Sequence, residues 1–230
     1  RPMPHWLDFF CYTMFVDRDG KFQLGMLSTS AFKPLAASMG PMLKEESFHL
    51  GTGSNGLRRI VKAGVIPLDM LQRYFNKWVS TAHDLFGVDA SSSAHWAYVW
   101  GIKGRWDERK KLDSGIDVDK ETLNEEARRH YHEEIVGEVE KICKHLPKGS
   151  PMLYVPHENF NRDIGVTKRQ RYTVEGNSFE GSDDEWDAYI IAHLPTKQDE
   201  EKLKEIFELE WIENKPMSTR QIESGIGATA

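Results

Sequence analysis

The sequence predicts a mainly α-helical protein, on three observations. Apolar residues recur at three- and four-residue steps as far as His145. Prolines stand at the starts of those stretches, where a missing N–H costs nothing. Strand-like runs are few.

The first helix is expected from Trp6 to about Leu27, behind Pro2 and Pro4. Gly20 follows Asp17-Arg18-Asp19, and glycine costs about 1 kcal/mol in a helix interior. The helix should therefore kink there or lean on another element; two helices joined by an Asp-Arg-Asp-Gly turn are the rival. The second helix opens near Pro34 and carries Leu35, Met39, Met42, Leu43 and Phe48 on one face. Gly51, Gly53 and Gly56 are expected to interrupt it before Leu57, Ile60 and Val61 resume the period.

Pro67 starts a third helix with Leu68, Leu71, Phe75, Trp78, Val79 and Ala82 on one stripe, ending before Gly87. Residues 89–106 mix serine, glycine and aromatic residues, as in a packed connection. A fourth helix is expected from about Lys120 to His145, with Glu134 and Glu138 facing Lys141, and Pro147, Gly149 and Pro151 stop it. Met152–Val155 and Arg171–Val174 are the two strand candidates and could pair. A short acidic helix is expected near Gln198–Ile212. These elements divide the chain into a helical region, residues 1–147, and a helical and irregular C-terminal extension, residues 148–230, packing on it.

Composition removes several functional classes. At 230 residues and 39% hydrophobic content the chain holds enough apolar surface for a core, which excludes a disordered chain. Its longest apolar run, Phe9 to Val16, is about half the ~20 residues that a bilayer helix needs, so no membrane span is expected. Cys11 and Cys143 lie far apart without a CxxC, which excludes a disulfide framework or thiolate zinc site and points to a reducing cytoplasm. The formal charge of -6 divides unevenly, with an excess of cations before Lys111 and a larger excess of anions after it. An acidic second half argues against nucleic acid as a partner, while the basic first half can receive a small anion. The chain begins at Arg1, already in an apolar pattern, and is read as part of something longer.

The sharpest chemical signal is Glu46-Ser47-Phe48-His49. Glutamate and histidine at i and i+3 leave the same helix face and can bind one metal ion together. Oxygen and imidazole donors suit iron or manganese, and zinc less exclusively. Asp17 lies in the preceding apolar helix, where an unpaired carboxylate would cost several kcal/mol to bury. Antiparallel pairing of the two helices would bring Asp17 opposite Glu46 and His49; pairing of Asp17 with Arg18 or another arginine is the alternative. Glu126 and His130 are spaced differently, in a strongly charged helix, and read as a solvated face. Gly51-Thr52-Gly53 lacks the lysine and preceding strand of a phosphate loop.

The segments Phe15-Val16-Asp17-Arg18-Asp19-Gly20-Lys21-Phe22-Gln23-Leu24, Leu43-Lys44-Glu45-Glu46-Ser47-Phe48-His49, Asp84-Leu85-Phe86-Gly87 and Lys103-Gly104-Arg105 closely resemble the oxygenase subunits of benzoyl-coenzyme A 2,3-epoxidases. The likeness runs from about Trp6 to Trp106, with an echo at Val155-Pro156-His157. It implies a ferritin-like helical bundle whose four-helix core holds two iron ions. One helix pair of that core supplies a Glu and an ExxH, and the other supplies an Asp or Glu and a second ExxH. Only the second set has counterparts here, Asp17, Glu46 and His49, so half of the di-iron core is expected in this chain and the N-terminal half of the subunit upstream of it.

By the same resemblance the whole subunit is a di-iron monooxygenase that adds one atom of O2 to the ring of benzoyl-coenzyme A, giving the 2,3-epoxide. Electrons come from NADPH through a separate reductase component carrying flavin and iron–sulfur centres. Coenzyme A brings phosphates, and Arg58, Arg59, Lys62, Lys103 and Arg105 are the candidates to meet them. A phenylacetyl-coenzyme A epoxidase-like subunit is the enzymatic rival. A non-catalytic helical interaction subunit is the rival from another class.

Overall fold

A computed structural model describes residues 5–108, 122–163 and 170–208. It is mainly helical, with α1 at Trp6–Leu27, α2 at Lys33–Ala63, α3 at Leu68–Leu85, α4 at Ser92–Val99, α5 at Leu123–Cys143, α6 at Asp183–His193 and α7 at Lys197–Glu208. The chain divides into two compact units, residues 1–195 and 196–230. The second contributes α7, where Thr196 accepts from the Asp199 N–H and donates to its carboxylate. Residues 209–212 of the expected acidic helix lie outside the described residues, as do 120 and 121 of the expected fourth helix.

In the first unit α1 and α2 form a tightly seated antiparallel pair. Walking α1 backwards from Gly20 through Asp17 and Met14 to Phe10 meets, in order, Glu46, His49, Gly53 and Gly56 on α2. At Gly53 an added Cβ would lie 2.5 Å from the Met14 backbone nitrogen, and at Gly56 it would lie 2.2 Å from the Phe10 ring. The expected interruption of α2 at its glycines is thus corrected: the helix runs unbroken for 31 residues. Gly53 and Gly56 lower intrinsic helicity, but they let a neighbouring helix approach closely, and that packing outweighs the propensity cost. α1 also passes through Gly20 without a break. This pairing is half of a ferritin-like bundle.

α3 runs beside α1 in the same direction, His5 meeting Tyr74 at 2.9 Å and Gln23 meeting the Leu85 carbonyl at 3.2 Å. Phe15 packs edge-on against Phe75, and Tyr12 against Trp78. The buried Asp8 carboxylate accepts from Lys77 at 2.6 Å and from the Trp78 indole at 2.8 Å, so its charge is both paired and hydrogen-bonded. α5 also packs against α1. Glu134 takes Arg18 and Lys21, each at 2.5 Å, instead of facing Lys141 as expected; Glu138 does pair with Lys141. Phe22, Phe86, Trp106 and Tyr131 form an aromatic cluster where α1, α3 and α5 meet.

The expected pairing of Met152–Val155 with Arg171–Val174 does not form, and no strand occurs among the described residues. Tyr154 is instead held by both ends of the Gln72 amide, so its backbone groups are satisfied by a helix side chain. Residues 171–179 turn back on themselves around Gly176, with a single bridge between Tyr172 and Ser178. Two helices stand where none was expected, α4 inside the connection 89–106 and α6, whose Ser182 and Glu185 form a reciprocal capping box.

The two α2 glycines predict opposite responses. Gly53→Ala should lower unfolding free energy by about 1–3 kcal/mol through overpacking against α1. Gly51→Ala, whose new methyl meets nothing within 4 Å, should raise it by roughly 0.5–1 kcal/mol through helix propensity. Urea unfolding of both variants checks this, and equal effects would contradict the seam.

Candidate metal centre

The α1–α2 register that seats the glycines also assembles the candidate site. Asp17 leaves α1 opposite His49, and Gly20 stands opposite Glu46. His49 Nδ1 is 3.7 Å from Asp17 Oδ2 and 3.5 Å from Glu46 Oε2. One donor atom from each of the three residues falls within 4.8 Å of the other two. Gly20 is the cradle: a Cβ there would come within 3.3 Å of Glu46 Oε1. Its absence leaves room for the carboxylate, a role that helix propensity could not signal.

The electrostatics of the three groups are unbalanced as they stand. The Asp17 and Glu46 side chains are only 14% and 19% exposed, while His49 is 54% exposed. Burial, and then the neighbouring Glu46 charge, push the Asp17 carboxyl up to about 6 against the opposing pull of His49. Burial also raises Glu46, with His49 again opposing. Glu46 Oε2 is buried with no hydrogen-bond partner. Arg18 does not relieve them, since its guanidinium turns to Glu134, the Met14 carbonyl and Ser54. Asp19 adds a third carboxyl nearby, lifted to about 7 chiefly by burial and held by Gln23 at 3.1 Å.

Two converging carboxylates, an orphaned oxygen and one imidazole form a donor set that a divalent cation completes. The set also equals half of the ligand pattern by which four-helix di-iron proteins bind metal, one carboxylate from one helix and a Glu-x-x-His from its neighbour. The residues present therefore fit iron, three donors at a time. Among the described residues no other group of three His, Cys, Asp or Glu converges in this way.

The five candidate cations are not gathered in one place. Arg58, Arg59 and Lys62 surround a hollow of about 450 Å³ with Asn55 and His145. They lie beyond His49 on α2, Arg58 about two and a half turns on and so facing away from it. Arg58 also reaches Glu138 at 3.7 Å. Lys103 donates instead to the Asn124 and Gln23 side-chain oxygens, and Arg105 pairs with Asp107. Glu126 and His130 are half-buried rather than fully solvated, in a network with Arg129 and Glu133 and with the His130 ring against Trp106. A part-buried contact missed by the sequence joins the buried His83 to His132 at 3.2 Å. No local spacing signals it, because its partners sit on different helices.

Residues 1–162 match the protein family described as phenylacetic acid catabolic protein. Benzoyl-CoA oxygenase component B of Aromatoleum evansii is 34% identical over 237 residues, covering 85% of this chain and 50% of that protein. The chain thus spans about half the length of this curated relative. No helix among the described residues is long and apolar enough to cross a membrane.

The raised Asp17 carboxyl predicts a pH dependence of the metal-free chain. The folded state binds this proton more tightly than the unfolded chain does, so the associated stability is present at low pH and is lost as pH rises from the ordinary carboxylate range through about 6. Urea unfolding in chelator should show the wild type losing ground to Asp17→Asn over that interval. A difference between the two that is flat, or that runs the other way, would contradict the burial of this charge.

Proposed function

The chain belongs to the phenylacetic acid catabolic protein family, and from that premise we propose that it is the half of an aromatic acyl-coenzyme A oxygenase that carries Asp17, Glu46 and His49 as iron ligands. The observation that carries the proposal is the convergence of those three side chains around an oxygen, Glu46 Oε2, that the protein leaves unsatisfied. The remaining carboxylate and Glu-x-x-His would come from the rest of the subunit, in keeping with a relative about twice as long. A di-iron centre supplies the redox chemistry by which O2 is activated for transfer of one oxygen atom.

This chain's residues do the positioning. Asp17 and Glu46 hold negative charge in a poorly solvated seam, which favours a cation strongly over water. His49 contributes a neutral donor from the open side of that seam. The Gly20 gap fixes where the Glu46 carboxylate rests, and the close glycine contacts of α1 with α2 keep the carboxylates from separating. Tyr12, whose ring packs edge-on against Trp78, lies near enough to feel both carboxylates: burial, Asp17 and Glu46 raise its phenol above its ordinary range. The outer face of α2 leaves Met42 and Phe48 exposed, and the second helix pair would cover them.

The proposed reaction is epoxidation of the benzoyl-coenzyme A ring, with electrons delivered from NADPH by a reductase component bearing flavin and iron–sulfur centres. The hollow of Arg58, Arg59 and Lys62 is the cationic surface proposed for the thioester phosphates. A phenylacetyl thioester is the second reading, favoured by the family's description.

Whole subunit, including its native upstream sequence, is the material for the test. Supplied with reductase, NADPH and O2, it should convert benzoyl-coenzyme A to an epoxide detectable by mass, and His49→Ala should abolish conversion while retaining helicity. Turnover of phenylacetyl-coenzyme A alone would select the second reading. Failure on both thioesters with iron bound would contradict the proposal.

A further inference from the structure

A second cavity in the first unit is separate from the metal ligands. It measures about 740 Å³, within the range of small-molecule sites, and lies between α4 and the start of α5. Ala94, Trp96, Val99 and Leu123 give it apolar lining, and Lys103, Asn124 and Asp89, whose carboxylate is occupied by the Asn124 and Glu125 N–H groups, are among its polar lining. α4 buries none of its own residues. Trp96 and Val99, each about half exposed, are therefore apolar surface without a core behind it.

The lysine explains what kind of molecule would fit. Its ammonium contacts two neutral amide oxygens, Gln23 Oε1 at 3.3 Å and Asn124 Oδ1. Among the described residues no carboxylate lies within ion-pair distance of it. The carboxylates that act on it from farther off have other partners: Asp89 accepts the Asn124 and Glu125 N–H groups at 2.9 and 2.8 Å, and Asp19 accepts from Gln23. Burial lowers the pKa of this lysine from its ordinary value, and the attraction of Asp89 and Asp19 opposes that without reversing it. A partly buried cation that meets no contacting carboxylate among the described residues, lining a cavity with an aromatic wall, is a binding arrangement.

We propose that this cavity binds a small aromatic carboxylate, its ring against Trp96, Val99 and Leu123 and its carboxylate on Lys103. The ring replaces water over apolar surface left open among the described residues, and the carboxylate gives Lys103 a contacting anion where it now meets two amide oxygens. Binding involves none of Asp17, Glu46 or His49, so the inference stands independently of the oxygenase reading. Gln23 nevertheless links the two places, since it accepts from Lys103 and donates to Asp19, two residues from Asp17.

Isothermal titration of the 230-residue chain with three probes tests this. Benzoate carries ring and charge, acetate the charge alone and benzamide the ring alone. Benzoate should bind at least roughly tenfold more tightly than either, a difference of about 1.4 kcal/mol. Lys103→Met should reduce benzoate to the level of benzamide, and Trp96→Ala, at a half-exposed position that the fold does not need, should weaken it as well. Benzoate binding no tighter than acetate and benzamide, or unchanged in Trp96→Ala and in folded Lys103→Met, would overturn the proposal.

Discussion

The close antiparallel contact of α1 with α2 is the constraint on which the structure depends. It is possible because Gly53 and Gly56 present no side chain to Met14 and Phe10. Once those contacts are made, register is no longer free: Asp17 must stand opposite His49 and Gly20 opposite Glu46. The geometry of the candidate centre is a consequence of backbone packing one and two turns farther along the same seam. A helix pair held apart by larger side chains would carry the same three ligands without bringing them within reach of one ion.

The same seam imposes an electrostatic cost. Asp17 and Glu46 lose water and meet only the half-exposed His49 imidazole, whereas Asp8 and Glu134, also withdrawn from water, each receive a lysine or arginine, Lys77 for Asp8 and Arg18 with Lys21 for Glu134. The chain contains nearby arginine and uses it elsewhere. Arg18 adjoins Asp17 in sequence, yet a helix turns consecutive residues by about 100°, so its guanidinium faces α5 while Asp17 faces α2. The uncompensated pair is thus a property of how the helices face one another, and a bound cation is what would compensate it.

Much of this was legible in the sequence, because helical period and i, i+3 spacing are local. The α3 stripe and the shared face of Glu46 and His49 followed from local spacing, whereas Asp17 opposite them was one of two readings that spacing left open. Glycine was the point of failure. Gly51, Gly53 and Gly56 look alike in sequence, but only the latter two press against α1, and nothing local distinguishes a contact glycine from one with open space beside it. The ends of Gln72 that hold Tyr154, the His83–His132 contact and the amide partners of Lys103 joined residues too far apart in sequence for spacing to reveal. α6 was missed although its Ser182 to Glu185 capping box is a readable start signal; its weak amphipathic pattern obscured it.

The central claim is that Asp17, Glu46 and His49 hold metal. The most direct measurement is elemental iron in the whole subunit after anaerobic ferrous loading, comparing wild type with the double variant Glu46→Ala, His49→Ala at matched helicity. The account predicts about two irons per wild-type chain, as in four-helix di-iron proteins, and loss of most of that iron in the variant. Equal iron in both, or none in the wild type, would contradict it.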